Sequence, residues 1–215
     1  MRVRILPGAP EKTMKIYKPF GPTIGKTKLS SRTVTNLNKF SDQVSKNKFL
    51  SKKYDYDHRL IGSMKQQFKI PNRILKAGIE KQIINSIKDY YKQTLNIKVK
   101  KIKIERAWIV SQYAGDFNPP HLHRGNISGV GYLKIPKFVS KGYKKSKIDG
   151  TIDFINGNKM FLSDSIYNHQ PKEGDVILFP HYLMHTAYPF KSSGERRSFS
   201  FNLEIDKKIA NVFSR

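Results

Sequence analysis

The chain has 215 residues, no cysteine, and 41 Lys and Arg against 16 Asp and Glu, a formal net charge of +25. That length suits one large domain with a substantial core, and the lack of cysteine excludes disulfides, zinc–thiolate sites and thiol nucleophiles, leaving imidazole and oxygen to bind any transition metal. No apolar run approaches the ~20 residues needed to span a bilayer, and the opening segment up to Gly8 breaks too early for a secretory signal, so the expected location is cytoplasmic.

Charge divides unevenly along the chain. Residues 1–107 hold 26 Lys and Arg against 7 Asp and Glu, and the remainder holds 15 against 9. Such a field attracts nucleic acid or another polyanion in a salt-dependent way, although no nucleic-acid-binding signature accompanies it and lysine-rich composition alone also explains it.

Residues 1–30, rich in Pro, Gly and Lys, read as a loosely structured basic arm or one edge strand. From Ser31 the spacing of Val34, Leu37, Phe40 and Val44 predicts an amphipathic helix. A longer helix is predicted after Pro71, with Ile74, Leu75, Ile79, Ile83, Ile84, Ile87 and Tyr91 on one stripe and an end near Leu95–Asn96. Residues 31–96 are thus expected to form a helical support region. Beyond residue 97, β-branched and aromatic residues alternate instead. Strands are predicted over 98–105, 107–113, 127–135, 150–155, 175–179, 184–188 and 196–205. Many short strands after a pair of helices point to an α+β, mainly β fold, best satisfied by a jelly roll over 97–215 with the helices on one face.

Three histidines concentrate the chemistry. Alternate residues of an extended strand share a face, so His121 and His123 can converge on one ion. His185, after the buried-strand pattern Gly174-Asp-Val-Ile-Leu-Phe-Pro180, can close a facial set with open coordination positions. Arg196, on the final predicted strand, shares a polar face with Ser198, Ser200 and Asn202, while Arg197, Phe199 and Phe201 take the other. Three ligands for Fe(II), with a buried guanidinium beyond them, are what an iron site with a dicarboxylate cosubstrate requires.

The segments Trp108-Ile-Val-Ser-Gln-Tyr113, Gly115-Asp-Phe-Asn-Pro-Pro-His-Leu-His123, Ser128-Gly-Val-Gly-Tyr-Leu133, Gly174–Pro180 and Gly194-Glu-Arg-Arg-Ser-Phe-Ser-Phe-Asn202 resemble the 2-oxoglutarate and Fe(II)-dependent dioxygenase superfamily. The likeness is to its prolyl-hydroxylase-like branch and to small oxygenases common in phage and marine bacterial genomes. The resemblance implies a double-stranded β-helix, Fe(II) on His121, residue 123 and His185, and 2-oxoglutarate held by Arg196 and Tyr132. It also implies that Asn202 falls where the last strand passes the metal. The implied reaction is hydroxylation of an unidentified second substrate, protein, prolyl or polyanionic, with O2 consumed and succinate and CO2 released. His123 departs from the superfamily, which carries Asp or Glu there; Asp116 is the alternative oxygen donor. Tyr113 is a further candidate cosubstrate contact.

Blander readings stand beside these. His121 suits a turn, Arg196 a surface ion pair, and Tyr132 and Tyr113 ordinary strand positions. Trp108 reads as core, Asp175 as a turn residue, Arg124 as solvated, and His58, His169 and His181 as bystanders. Two other functions compete. One is a cupin-like three-histidine dioxygenase that needs no 2-oxo acid, and the other is a basic nucleic-acid or virion-associated protein with a vestigial site.

Overall fold

The computed structural model describes residues 14–17, 21–56, 64, 66–137 and 148–213. His58 and residues 1–13 of the expected arm lie outside them.

The first helix, α1 (Ser31–Ser45), starts where Ser30 Oγ accepts the Thr33 N–H at 3.2 Å, satisfying an otherwise orphaned donor. It buries Val34, Leu37, Phe40 and Val44, the predicted stripe. A short helix not anticipated from the sequence, α2 (Lys48–Tyr54), follows; none of its side chains is buried, so it leaves no apolar period to read. The long helix expected after Pro71 is broken. It comprises α3 (Asn72–Ile74), a π-helical turn (Leu75–Ile79) and α4 (Glu80–Leu95). The break lies at Ala77–Gly78, where Gly78 takes a φ of 120°, open to glycine and strained for other residues. Asn96 ends α4 in the left-handed region with φ 55°.

The strands are β1 (Lys15–Tyr17), β2 (Ile24–Lys28), β3 (Gln66–Lys69), β4 (Ile102–Gln112), β5 (Asn118–His121) and β6 (Ile127–Lys134). They continue with β7 (Ile152–Ile155), β8 (Ile166–His169), β9 (Asp175–Pro180), β10 (Met184–Ala187) and β11 (Arg196–Ile205); α5 (Lys207–Phe213) follows. They form a seven-stranded sheet in the order β1-β2-β9-β6-β11-β4-β3 and a four-stranded sheet in the order β5-β10-β7-β8, with antiparallel pairing. Two strands expected over 98–105 and 107–113 are one strand starting at Ile102. The Asp206 carboxylate takes the N–H groups of Lys100 and Lys101 at 2.7 and 3.0 Å and holds that stretch out of the sheet.

Alternation along β11 and β6 separates two cores. Phe199, Phe201, Leu203 and Leu133 face the helices and pack with Leu37, Phe40, Ile83, Ile87 and Tyr90. On the other face Tyr132, Ile177 and Phe179 meet Ile152 and Phe154 of the small sheet. The two glycines of Ser128-Gly-Val-Gly-Tyr-Leu133 make this packing feasible. A Cβ at Gly129 would sit 2.2 Å from the Phe201 ring and one at Gly131 2.1 Å from the Phe199 ring. The architecture is therefore the expected double-stranded β-helix with helices on one face, and a cavity opens between its two sheets.

Candidate metal centre

β5 and β10 are antiparallel neighbours in the small sheet, and their register places His121 directly opposite His185. β5 ends at His121, so His123 stands two residues past the strand, with its N–H donated to the His181 carbonyl at 3.1 Å. Beyond the boundary Leu122 is 53% exposed at the cavity edge, and the His123 ring turns in to the cluster. Donor atoms of His121, His123 and His185 all lie within 4.8 Å of one another. The Nε2 atoms of His123 and His185 are 3.1 Å apart.

Two of the three imidazoles are held from behind. Nδ1 of His121 is 2.7 Å from the Pro119 carbonyl, and Nδ1 of His185 is 2.9 Å from the Leu183 carbonyl. A carbonyl only accepts, so both rings carry their proton on Nδ1 and present the Nε2 lone pair to the cluster. Burial, reinforced by the neighbouring histidines, pushes His123 down to about 2 and His185 to about 3; burial also lowers His121. All three are neutral donors at neutral pH, the state a cation binds. Asp116, the alternative ligand, is not among them. Its carboxylate accepts the Tyr113 N–H at 3.0 Å and closes the turn after β4.

The cluster opens on a cavity of about 390 Å³. One wall is β4 beside β11, where Gln112 pairs with Arg196, Val110 with Ser198, Trp108 with Ser200 and Arg106 with Asn202. Arg196 is 2% exposed, and among the described residues it forms no ion pair. Its Nε and one terminal nitrogen donate to Gln112 Oε1 at 3.0 and 2.6 Å; the other donates to the Gly150 carbonyl at 2.5 Å. Burial lowers the guanidinium to about 10. Beside it, the buried Gln112 Nε2 has no acceptor. A buried cation that feels Asp116 only at longer range and makes no ion pair, beside an amide donor without an acceptor, fits a carboxylate ligand. Tyr132, buried at the same end, has its phenol pushed up by burial while the Arg196 charge opposes that rise.

Two candidate cosubstrate contacts, Tyr113 and Asn202, stand away from Arg196. Tyr113 is not brought to the cavity. Alternation turns Trp108, Val110 and Gln112 inward and Tyr113 to the opposite face, where Glu195, Arg197 and Lys134 shape its electrostatics. Asn202 lines the cavity, but six residues along β11 from Arg196, or roughly 20 Å, and its Oδ1 accepts from Ser128 at 3.0 Å. Trp108 is buried as expected yet forms cavity wall, its ring 5.8 Å from that of His123. Arg124 is exposed at the cavity rim. Asp175 serves its turn, accepting the Lys172 N–H at 3.1 Å, and also meets Lys28 at 2.6 Å and His169 at 3.2 Å. Among the cavity residues that the sequence did not single out are Gln112, Asn118 and Arg106. Neutral amides carry no motif, though the inward parity of Gln112 was readable from its strand.

Comparison with known proteins agrees with this geometry. Residues 106–202 match the family model for 2OG-Fe(II) oxygenases. No curated protein matches the sequence. Among solved structures, HygX from Streptomyces hygroscopicus with nickel, 2-oxoglutarate and hygromycin B superposes with a TM-score of 0.56 at 11% identity, covering 84% of this chain and 82% of that one. A Pseudomonas putida prolyl-4-hydroxylase gives 0.54 at 15% identity over 83% and 91% of the two chains. A Trichoplax adhaerens prolyl hydroxylase in complex with a hypoxia-inducible-factor peptide gives 0.53 at 12% identity over 95% and 88%. At these identities the likeness is one of fold. Residues 106–202 are thus similar to the 2-oxoglutarate- and Fe(II)-dependent oxygenase family, and the fold is one the chain shares with prolyl hydroxylases.

Proposed function

We propose that this oxygenase hydroxylates a second substrate bound in the cavity, with His121, His123 and His185 as the iron ligands and Arg196, Gln112 and Tyr132 as the 2-oxoglutarate contacts. The buried, ion-pair-free Arg196 at one end of the histidine-bearing cavity carries this reading. Fe(II) with 2-oxoglutarate supplies oxidising power from O2, one oxygen atom going to succinate as CO2 leaves and the other to the substrate C–H bond. The chain's own residues do the positioning. The Arg196 N–H groups left over from its bonds to Gln112 and Gly150, together with the unpaired Gln112 amide, are donors for one carboxylate, and the Pro119 and Leu183 carbonyls fix two imidazoles. Trp108, Val110 and Phe179 form an apolar wall that limits water near the cluster. Within this reading residues 97–215 carry the candidate ligands and residues 31–96 supply the helical support together with β3, while β1 and β2 belong to the large sheet instead of a loose arm.

A cupin-like dioxygenase without a 2-oxo acid gives Arg196 no anion to meet, so it is the less favoured reading. A basic nucleic-acid-binding protein with a vestigial site leaves the converging imidazoles and the orphaned Gln112 amide without purpose. Measuring succinate formed from 2-oxoglutarate with Fe(II) and O2, together with anaerobic Fe(II) titration, separates them. We expect iron-dependent succinate release and one iron per chain, with affinity at least tenfold weaker in His185→Ala. Unaltered iron affinity and stoichiometry in that variant would overturn the ligand assignment, and absence of succinate would favour the cupin-like reading.

A further inference from the structure

The cavity has two cationic ends, and the proposed cosubstrate accounts for only one. Arg106 and Arg124 line the end remote from Arg196. Along β4, Arg106 shares the inward parity of Trp108 and Gln112, and its partner across the sheet is Asn202. Arg124 directly follows His123 in the chain. Both arginines are exposed, and among the described residues neither meets a carboxylate. No described residue lining the cavity is acidic. By contrast Arg197, one residue from Arg196 but on the opposite face, is fully engaged by Glu195 and Asp42, both at 2.7 Å. Cations aimed at the cavity are left unpaired while one aimed at the helices is neutralised.

The order along the wall supplies the direction. Arg196 and Arg106 stand at opposite ends of the paired β4–β11 segment, roughly 20 Å apart. Trp108, between them, packs against His123, so the histidine cluster faces the middle of the wall. A five-carbon dicarboxylate held at Arg196 cannot also reach Arg106. A second molecule held at Arg106 and Arg124 would extend towards the same cluster from the other side.

We propose that Arg106 and Arg124 form the recognition site for an oxyanionic group, phosphate or carboxylate, on the substrate to be hydroxylated. The inference rests on the oxygenase reading above and adds the substrate's chemical class: an anion anchored at the rim, with its reacting carbon reaching inward. Planar guanidinium donors suit either oxyanion, and two of them discriminate against neutral or cationic substrates.

Trp108 is the single tryptophan of the chain and lies on the same wall, so its fluorescence reports on this end directly. Protein loaded with Mn(II) and 2-oxoglutarate without O2 would be titrated with inorganic phosphate and, separately, with acetate at constant ionic strength. We expect a saturable Trp108 response, with affinity at least tenfold weaker when Arg106→Gln and Arg124→Gln are combined and unchanged in Lys100→Gln, an exposed residue outside the cavity. The tighter of the two anions identifies the substrate group. No saturable response to either, or one unaffected by the double substitution in a variant that melts like wild type, would overturn the proposal. Binding of 2-oxoglutarate, followed independently by calorimetry, tests the oxygenase reading: its failure alongside an intact phosphate response would sink that reading and leave the anion site standing.

Discussion

At the scale of single residues the informative contrast is between Arg196 and Arg197. Strand alternation sends one guanidinium into the cavity and the other to α1, and the partners differ accordingly: neutral oxygens for Arg196, two carboxylates for Arg197. A buried charge with only neutral partners is costly to keep, and the Arg196 guanidinium is already less basic than usual. Arg196→Met should therefore remove cosubstrate affinity without unfolding the protein. Losing one partner of a buried charged pair costs roughly 2–5 kcal/mol, at least about thirtyfold in dissociation constant. Calorimetry with 2-oxoglutarate, set beside the thermal midpoint of the metal-free protein, measures both effects, and wild-type affinity in Arg196→Met would show that the carboxylate binds elsewhere. His121, His123, His185 and Arg196 were readable because charged or metal-ligating side chains at strand spacing are conspicuous. Tyr113 takes the blander of its two readings, an ordinary tyrosine at the end of its strand, because its parity is opposite to that of Trp108, Val110 and Gln112.

At the scale of elements, the sequence is most transparent where one face of a strand is polar and the other is not. β11 runs over Arg196–Ile205 as its alternation predicts, and α1 follows its three- and four-residue period. β3 and β8 are four residues long with polar residues on both faces, so neither shows an apolar alternation, and β2 carries Gly25 and two lysines among its five. The kink at Ala77–Gly78 was concealed because the apolar stripe continues across it. Pairing of β6 with β11 makes a sharper claim. Gly131→Ala would force a methyl group against the Phe199 ring within a fully buried cluster, costing about 1–3 kcal/mol. That corresponds to a fall of several degrees in melting temperature for a chain of this size. Gly21→Ala, which meets nothing within 4 Å, should leave the midpoint unchanged. Equal behaviour of the two variants in thermal melts would mean that the close approach of β6 to Phe199 is not required.

At the scale of the whole molecule, charge and topology both set conditions on stability. A net charge of +25 on 215 residues makes the folded state repel itself, and salt screens that repulsion over about 10 Å at 0.1 M. Raising NaCl from about 0.02 to 0.3 M at fixed pH should therefore raise the melting temperature of the metal-free protein; a flat or falling midpoint would show that its ion pairs outweigh the repulsion. Topology acts in a different way. β2 pairs with β9, Gly25 lying opposite Leu178, so a strand near one end of the chain completes its hydrogen bonds with one translated some 150 residues later. At ~5–20 residues per second, β2 waits roughly 8 to 30 seconds after its own synthesis before β9 exists. The same β2–β9 pairing that closes the large sheet thus leaves the nascent chain dependent, for that interval, on whatever shields exposed apolar surface in the cell.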